Sequence, residues 1–266
     1  LLVDKKELSQ KENAPLLYKL INYTVKIAAV VLLVVVSVTI YKYQELVKKS
    51  EVLQTILVPA GQRINIILPD STFVCLNSNT KFSYPSVFAT NNRKVKLDGE
   101  AYFEVAKDKD KPFIVNTKEQ SIKALGTKFN VSAYPTDSLL TTTLLEGSVL
   151  LTTQSLLHPT VLRPNEQFVY NKKTQSALLQ QVDANRFVSW TTGYYYFPEQ
   201  SLDAILYRLS HVYGVQFTVK SEALNRRTFT GTFYRGQSIK DIMEIIHLSI
   251  PIRYKIDDHH VTISEI

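Results

Sequence analysis

The feature that most constrains this chain is an uninterrupted apolar run near its N-terminus. Residues 27–41 read IAAVVLLVVVSVTIY, fifteen positions without a charged side chain. Lys26 and Lys42 flank the run, and their long stems can extend toward a membrane surface, so the usable span approaches the roughly 20 residues that a bilayer requires. We therefore predict one transmembrane helix over residues 23–43. The tyrosines expected at its membrane interfaces are Tyr18, Tyr23, Tyr41 and Tyr43.

Two other interpretations of this run are weaker. A cleaved signal peptide would need a small-residue cleavage site, and the sequence that follows the run, YKYQELVKKS, offers none. A buried core helix is also a weaker interpretation, because the run is apolar on all sides and crowded with β-branched residues. A membrane anchor remains the preferred interpretation.

Charge supports the membrane assignment rather than nucleic-acid binding. The net charge is +7, but residues 1–50 alone hold eight lysines against four acidic residues, so most of the excess lies beside the apolar run. More lysines precede the run than follow it, which favours a cytoplasmic N-terminus and a C-terminal bulk outside the cytoplasm. Because the first residue is Leu and the only methionine is Met243, we expect an upstream segment, with residues 1–22 as the end of a cytoplasmic portion.

Beyond residue 58 the sequence becomes a series of short β-forming runs separated by turn residues, with no amphipathic helix between them. Such a pattern predicts an antiparallel sandwich or barrel over residues 58–182. One predicted turn is Asp98-Gly99, which would separate a strand at 93–97 from a strand at 101–106. The single cysteine, Cys75, allows no intrachain disulfide and is expected to be a small buried residue.

Residues 194–266 contain an internal repeat at an offset of 37 positions, and each copy reads as strand, helix, strand. The first helix is expected to begin after a Ser201 cap and to end at Gly214. The second is expected to begin at Ser238, with Asp241 completing a capping box, and to end before Pro251. The apolar positions expected to face inward are Leu202, Ile205, Leu206, Leu209, Val212, Ile239, Ile242, Met243 and Ile246.

The sequence holds few residues arranged for catalysis or metal binding. The five histidines lack the spacing of a zinc site, no glycine-rich phosphate loop is present, and residues 257–260 (DDHH) read as a polar turn between strands. Glu100 and Glu104 are expected on a solvated sheet face, and Trp190 is expected to pack at the junction between two modules. We therefore expect no cofactor, no metal and no enzymatic activity.

Several long stretches resemble one family. Residues 93–117, 122–134 and 144–151 carry motifs such as LDGEAYFEVA, LGTKFNV and LEGSV that closely resemble the periplasmic domain of FecR-type anti-sigma factors, and residues 58–88 and 162–170 match its opening and closing strands. Residues 194–266 resemble the C-terminal module that accompanies this domain in Bacteroidetes proteins. The departures are small: Asp70-Ser71 replaces Asp-Gly, and Asn165 stands for a glycine that Asn can imitate.

The resemblance implies a single-pass inner-membrane regulator with a juxtamembrane linker at 44–57 and an interdomain linker at 183–193. Its implied partners are an ECF-type sigma factor in the cytoplasm and the signalling domain of a TonB-dependent outer-membrane receptor in the periplasm, in control of uptake genes. Sequence does not choose between an iron chelate and a glycan as the inducing substrate. The alternatives are a membrane-anchored glycan- or protein-binding module without a regulatory role and, less favoured, an anchored enzyme.

Resemblance also marks one bond for possible chemistry. Some FecR-type proteins cleave themselves at a Gly-Thr bond in a motif like residues 125–130, LGTKFN. The Thr127 hydroxyl would attack the Gly126 carbonyl, a reaction that needs a strained bond. The competing interpretation, which the sequence favours, is that Gly126-Thr127 simply form a tight turn between strands.

Overall fold

A computed structural model of the chain describes residues 14–88, 91–153, 155–234 and 236–266. It divides into two compact units that meet between Glu51 and Val52. The described part of the first unit is a single helix, α1 (Ala14–Glu51). Residues 1–13, where most of the predicted cytoplasmic segment falls, lie outside the described residues.

Helix α1 contains a stretch, Tyr18–Lys48, that is long and apolar enough to cross a membrane, with a mean hydropathy of 2.3 and none of it buried. The hydroxyls of Thr24 and Thr39 donate to the carbonyls of Ile21 and Val35 at 2.8 and 2.7 Å, so they bring no unpaired polar group into this helix. The helix runs on through residues 44–51, the first part of the juxtamembrane linker expected at 44–57, because this segment holds helix formers and no Gly or Pro.

The second unit begins with thirteen strands that form a curled sheet. The mainly β fold predicted from sequence is confirmed. The strands are β1 (Leu53–Leu57), β2 (Ile64–Ile67), β3 (Phe73–Leu76), β4 (Lys81–Pro85), β5 (Arg93–Glu104), β6 (Phe113–Asn116), β7 (Gln120–Ala124), β8 (Lys128–Ala133), β9 (Leu139–Glu146), β10 (Val149–Thr153), β11 (Thr160–Leu162), β12 (Glu166–Asn171) and β13 (Ser176–Gln181). Adjacent strands are antiparallel except β5 and β6, which run parallel.

The turn predicted at Asp98-Gly99 is wrong, because both residues lie within strand β5. The chain does not turn back there: β5 runs without interruption, with its first part paired to β4 and β6 and its second part paired to β3 and β8. Gly99 has φ +129 and abuts Thr80, so it bends the strand instead of ending it. The strand thereby belongs to both halves of the sheet.

The two halves enclose one apolar core, in which Phe103 packs against Phe82, Phe113 and Phe129 with ring centroids 5.1 to 6.1 Å apart. The half that contains β3 and the end of β5 is buried on its other face as well. On that face, Cys75 and Tyr102 belong to a second core, which the sheet forms with the C-terminal module. The prediction that Cys75 is a small buried residue is confirmed, since it is 1% exposed.

The C-terminal module begins after two short 3-10 turns, Ala184–Phe187 and Ser189–Thr192. Its elements are β14 (Tyr194–Ser201), α2 (Leu202–Tyr213), β15 (Gln216–Val219), α3 (Glu222–Asn225), β16 (Thr228–Tyr234), α4 (Ile239–Ser249), β17 (Ile252–Asp257) and β18 (His260–Glu265). The two repeat copies interlock: their first strands, β14 and β16, pair with each other, while β15 and β17 both pair with β18. The predicted apolar faces of α2 and α4 both contribute to the second core.

The two helix caps differ in a way that sequence does not reveal. Ser238 and Asp241 form the predicted capping box, and hydrogen bonds from Ser238 lower the pKa of Asp241. Ser201 occupies the N-cap position of α2, but its side chain makes no capping hydrogen bond.

We therefore expect Ser238→Ala to lower the free energy of unfolding by about 1 kcal/mol, the usual worth of an N-cap hydrogen bond. Ser201→Ala is the matched control, and it should change stability by less than about 0.5 kcal/mol because no such bond is lost. Urea unfolding of both variants followed by circular dichroism compares them. Equal losses in the two variants would contradict this assignment of the caps.

Candidate functional site

The most unusual polar feature of the second unit lies where the β sheet meets the C-terminal module. Glu100, 9% exposed, accepts hydrogen bonds from the side-chain amides of Asn77 at 2.6 Å and Asn130 at 2.9 Å. The expectation that Glu100 lies on a solvated face is therefore wrong, although Glu104 is exposed. The reason is that the C-terminal module covers the outer face of this part of β5, so a carboxylate there needs donors of its own.

Trp190 extends this network into the segment between the modules. Its indole N–H donates to the Asn130 side-chain oxygen at 3.3 Å, and its ring is fully buried in the second core. From the β2 side, the Arg63 guanidinium donates to the Trp190 carbonyl at 2.8 Å and also to the Thr191 carbonyl. The prediction that Trp190 packs at the junction is confirmed, and the hydrogen bonds fix its position as well.

A second set of contacts joins the C-terminal end of α2 to the sheet. His211 Nε2 lies 3.0 Å from the Asp137 carboxylate, and the imidazole stacks on the Tyr134 ring at 4.0 Å between centroids. Burial, together with the nearby Glu100 carboxylate, raises the pKa of Tyr134 well above its usual range. The Tyr134 hydroxyl therefore stays protonated and donates to the Ser78 carbonyl at 2.9 Å.

The loop before β4 completes the junction. The Asn79 side chain donates to the His211 carbonyl at 3.1 Å, and the Ser78 hydroxyl lies 3.4 Å from the Val212 carbonyl. Packing is close here: a Cβ atom added at Gly214 would lie 2.4 Å from the Cβ of Ala60. These hydrogen bonds satisfy carbonyls that the end of a helix leaves unpaired, so the loop also acts as a cap for α2.

A cleft of about 880 Å³ opens beside these contacts and is walled by both modules. The sheet contributes Glu100, Asn130 and Tyr134, and the module contributes Tyr207 and Arg208. Its volume lies in the range of sites for small molecules, and it combines aromatic rings with buried polar groups. Neither the cleft nor the polar network was visible in the sequence, because Asn77, Glu100 and Asn130 are far apart along the chain.

The bond marked for self-cleavage lies elsewhere, in the connection that carries the chain from β7 to β8. Gly126 has φ +141, and a Cβ atom there would lie 3.0 Å from the Cα of Lys107. The Thr127 side chain is buried, and its hydroxyl has no hydrogen-bond partner among the described residues. The Thr127 carbonyl accepts a hydrogen bond from the Val105 amide at 3.0 Å, so the connection is held against the sheet.

The remaining polar candidates do not gather into a site. Asp258 and His259 form the exposed turn of the β17–β18 hairpin, as the sequence predicted. His247 Nδ1 lies 2.6 Å from the Ile252 carbonyl, within the C-terminal module. Among the described residues, no group of three or more His, Cys, Asp or Glu side chains is arranged to hold a metal ion.

Comparison with known proteins agrees with this architecture. The family model described as FecR protein matches residues 54–150, and the model described as FecR, C-terminal, matches residues 194–263. Two crystal structures of a Parabacteroides distasonis protein provisionally described as an anti-sigma factor, at 2.50 and 1.65 Å resolution, are 29% identical to this chain with TM-scores of 0.71 and 0.72. They cover 81% and 80% of this chain, and 100% and 99% of their own. The curated proteins gave no match.

The chain combines a long apolar N-terminal helix, a curled sheet and an interlocked α+β module, and the comparisons give the class of protein: an anti-sigma factor with one N-terminal helix fit to span a membrane. The two family matches together span more than half of the chain, in the order that the sequence motifs indicated. The chain belongs to the FecR family of anti-sigma factors. This family is regulatory rather than catalytic, and its class implies a sigma factor as partner.

Proposed function

We propose that this chain relays the state of a TonB-dependent outer-membrane receptor to a cytoplasmic ECF-type sigma factor and so controls transcription of uptake genes. The observation that carries the proposal is the combination of a helix long and apolar enough to span a membrane with two modules that share a buried polar junction. In this scheme the receptor's signalling domain binds the part of the chain after α1, and the protein has no catalytic turnover.

The relay requires that receptor binding favour one of two states of this part of the chain. A partner that bound both states equally would shift nothing, however tightly it bound. The junction suits such a change because specific polar contacts lie beside its apolar core, among them the Trp190 and Asn130 bond and the His211 and Asp137 pair. We place the two states in the geometry of this junction.

The proposal includes a topology and a set of boundaries. The N-terminus lies in the cytoplasm, the helix crosses at residues 23–43, the sheet domain spans 58–182 and the C-terminal module spans 194–266. Fusing an alkaline phosphatase reporter after Ile266 tests the topology, because the enzyme is active only in the periplasm. Activity there supports the proposal, and activity only when the reporter precedes α1 would contradict it.

A transcriptome comparison tests the regulatory role. One strain lacks the full gene, and a second expresses only its cytoplasmic segment. A strong change in one receptor operon in either strain supports the relay and identifies the signal. If transcription is unchanged in both strains, the regulatory role is wrong, and a glycan- or protein-binding module becomes the better description.

The Gly126–Thr127 bond is our candidate for self-cleavage, and the partnerless Thr127 hydroxyl is the observation that favours it. The hydroxyl oxygen would bond to the Gly126 carbonyl carbon as the C–N bond breaks and the amine takes the proton, and water would then hydrolyse the ester. Cleavage predicts two bands on a denaturing gel for the wild type and one band for Thr127→Ala. A single wild-type band establishes the turn interpretation.

A further inference from the structure

We propose that the cleft between the sheet and the C-terminal module binds a neutral oligosaccharide, which gives this anti-sigma factor a small-molecule input beyond the receptor relay proposed above. The inference rests on three properties of the cleft: unsatisfied donors, exposed aromatic rings and a surplus of acidic groups.

Arg208 supplies the first property. It lines the cleft, and its Nη2 atom is buried without a hydrogen-bond partner in the described part of the chain. Burying such a group unpaired is unfavourable, and the guanidinium gains only a distant contact with the Tyr195 ring, 5.9 Å from its centroid. The first turn of α2, at Asp203 and Ala204, also lines the cleft and lacks a side-chain cap. Both features offer N–H donors to the oxygen atoms of a ligand.

Tyr196 and Tyr207 supply the second property. Both line the cleft while remaining 41% and 49% exposed, so their rings are available to a ligand. A tyrosine presents an apolar ring and a polar hydroxyl together, which suits a molecule with an apolar C–H face edged by hydroxyl groups. A sugar ring has this character.

Charge decides between neutral and anionic ligands. Four carboxylates line the cleft, Glu100, Asp137, Asp183 and Asp203, against two guanidinium groups and one imidazole. Asp137 is paired with His211, and Asp183 is paired with Arg186 at 3.2 Å. The carboxylates of Glu100 and Asp203 therefore outnumber the one remaining guanidinium group, that of Arg208. An anionic ligand would meet repulsion, whereas hydroxyl groups can donate to the Asp203 carboxylate and accept from Arg208.

The chain contains its own reporter for this site. Trp190 is the only tryptophan, and its indole N–H bonds to Asn130, which lines the cleft. A ligand that contacts Asn130 should therefore change the emission of Trp190. Because the cleft has walls from both modules, the same ligand should also raise the unfolding temperature.

The test uses the full chain in a zwitterionic detergent without a sugar headgroup. Neutral trisaccharides (maltotriose, cellotriose and mannotriose) are titrated at millimolar concentrations while Trp190 emission and the unfolding temperature are recorded. We expect at least one to give a saturable change in both, and glucuronic acid to bind more weakly than glucose. Absence of any saturable change, or tighter binding of the acid, overturns the proposal.

Variants locate the site. Arg208→Gln should weaken the active trisaccharide by about tenfold or more, since a hydrogen bond to a charged group is lost. Arg226→Gln is the matched control, because this arginine is 82% exposed and lies outside the cleft. If Arg208→Gln lowers the unfolding temperature without ligand, Tyr207→Ala replaces it and should weaken binding several-fold. Equal effects of the Arg208 and Arg226 variants would contradict the site, while the transcriptome test of the relay stands independently.

Discussion

Replacing Trp190 with alanine is expected to lower the free energy of unfolding by about 3–5 kcal/mol, the range for removing a large buried aromatic side chain. Trp190 is fully buried in the core that joins the sheet to the C-terminal module. Its removal leaves a cavity and also leaves the Asn130 side-chain oxygen without the indole donor. Urea unfolding followed by circular dichroism measures the loss, because the variant has no tryptophan to emit.

Trp190→Phe separates the two contributions. It keeps most of the apolar volume but cannot donate to Asn130, so we expect a smaller loss of about 1–2 kcal/mol. Hydrogen exchange should show that residues of α2 lose protection in Trp190→Ala before residues of β5, because the side chain that joins the two modules is gone. A loss below about 1 kcal/mol in Trp190→Ala would mean that the junction stabilises little.

Local sequence patterns predicted several elements of the architecture. The apolar run at 27–41 predicted a membrane helix because, with the stems of its flanking lysines, it approaches the length that a bilayer requires, and none of this stretch is buried in the structure. The faces of α2 and α4 followed from helical periodicity, and the Ser238–Asp241 box followed from the spacing of two residues. Each of these signals lies within one element.

Junction residues escaped prediction because their partners are distant in sequence. Glu100 meets Asn77 and Asn130, which are 23 and 30 positions away, and His211 meets Asp137 across 74 positions. Alternation along β5 predicted a solvated Glu100, but alternation indicates a solvated face only when one face of a sheet is covered. Here the C-terminal module covers the second face of the later part of β5, so residues 99–103 are buried on both sides while the first part of the strand still alternates.

This double burial connects the fold with the proposed relay. A sheet whose outer face packs on a second module cannot change its contacts there without repacking a shared core, and packed cores switch between discrete arrangements rather than deforming gradually. The polar groups at the junction restrict which arrangements of the two modules are stable. Separating Asn130 from Trp190, or Asp137 from His211, leaves buried groups unpaired, so intermediate geometries are disfavoured.

Gly99 holds the bend that makes this arrangement possible, and we expect Gly99→Ala to destabilise the protein by about 3 kcal/mol or more. The residue has φ +129, where an alanine is strained by about 1–3 kcal/mol. The new Cβ atom would lie 2.7 Å from the Cα of Thr80 and 2.5 Å from its hydroxyl oxygen, and relieving that overlap costs a further 1–3 kcal/mol or so.

Thr80 cannot move away cheaply. Its hydroxyl contacts both the amide and the carbonyl of Glu100, at 3.0 and 3.2 Å, so displacing it disturbs the backbone of the buried carboxylate as well. Gly236→Ala is the matched control, since nothing lies within 4 Å of the added atom, and it should leave stability within about 0.5 kcal/mol of the wild type. Equal urea midpoints for the two variants would contradict this prediction. They would show that β5 accommodates a side chain at its bend, and that the contact between Gly99 and Thr80 does not explain why the chain fails to turn at Asp98-Gly99.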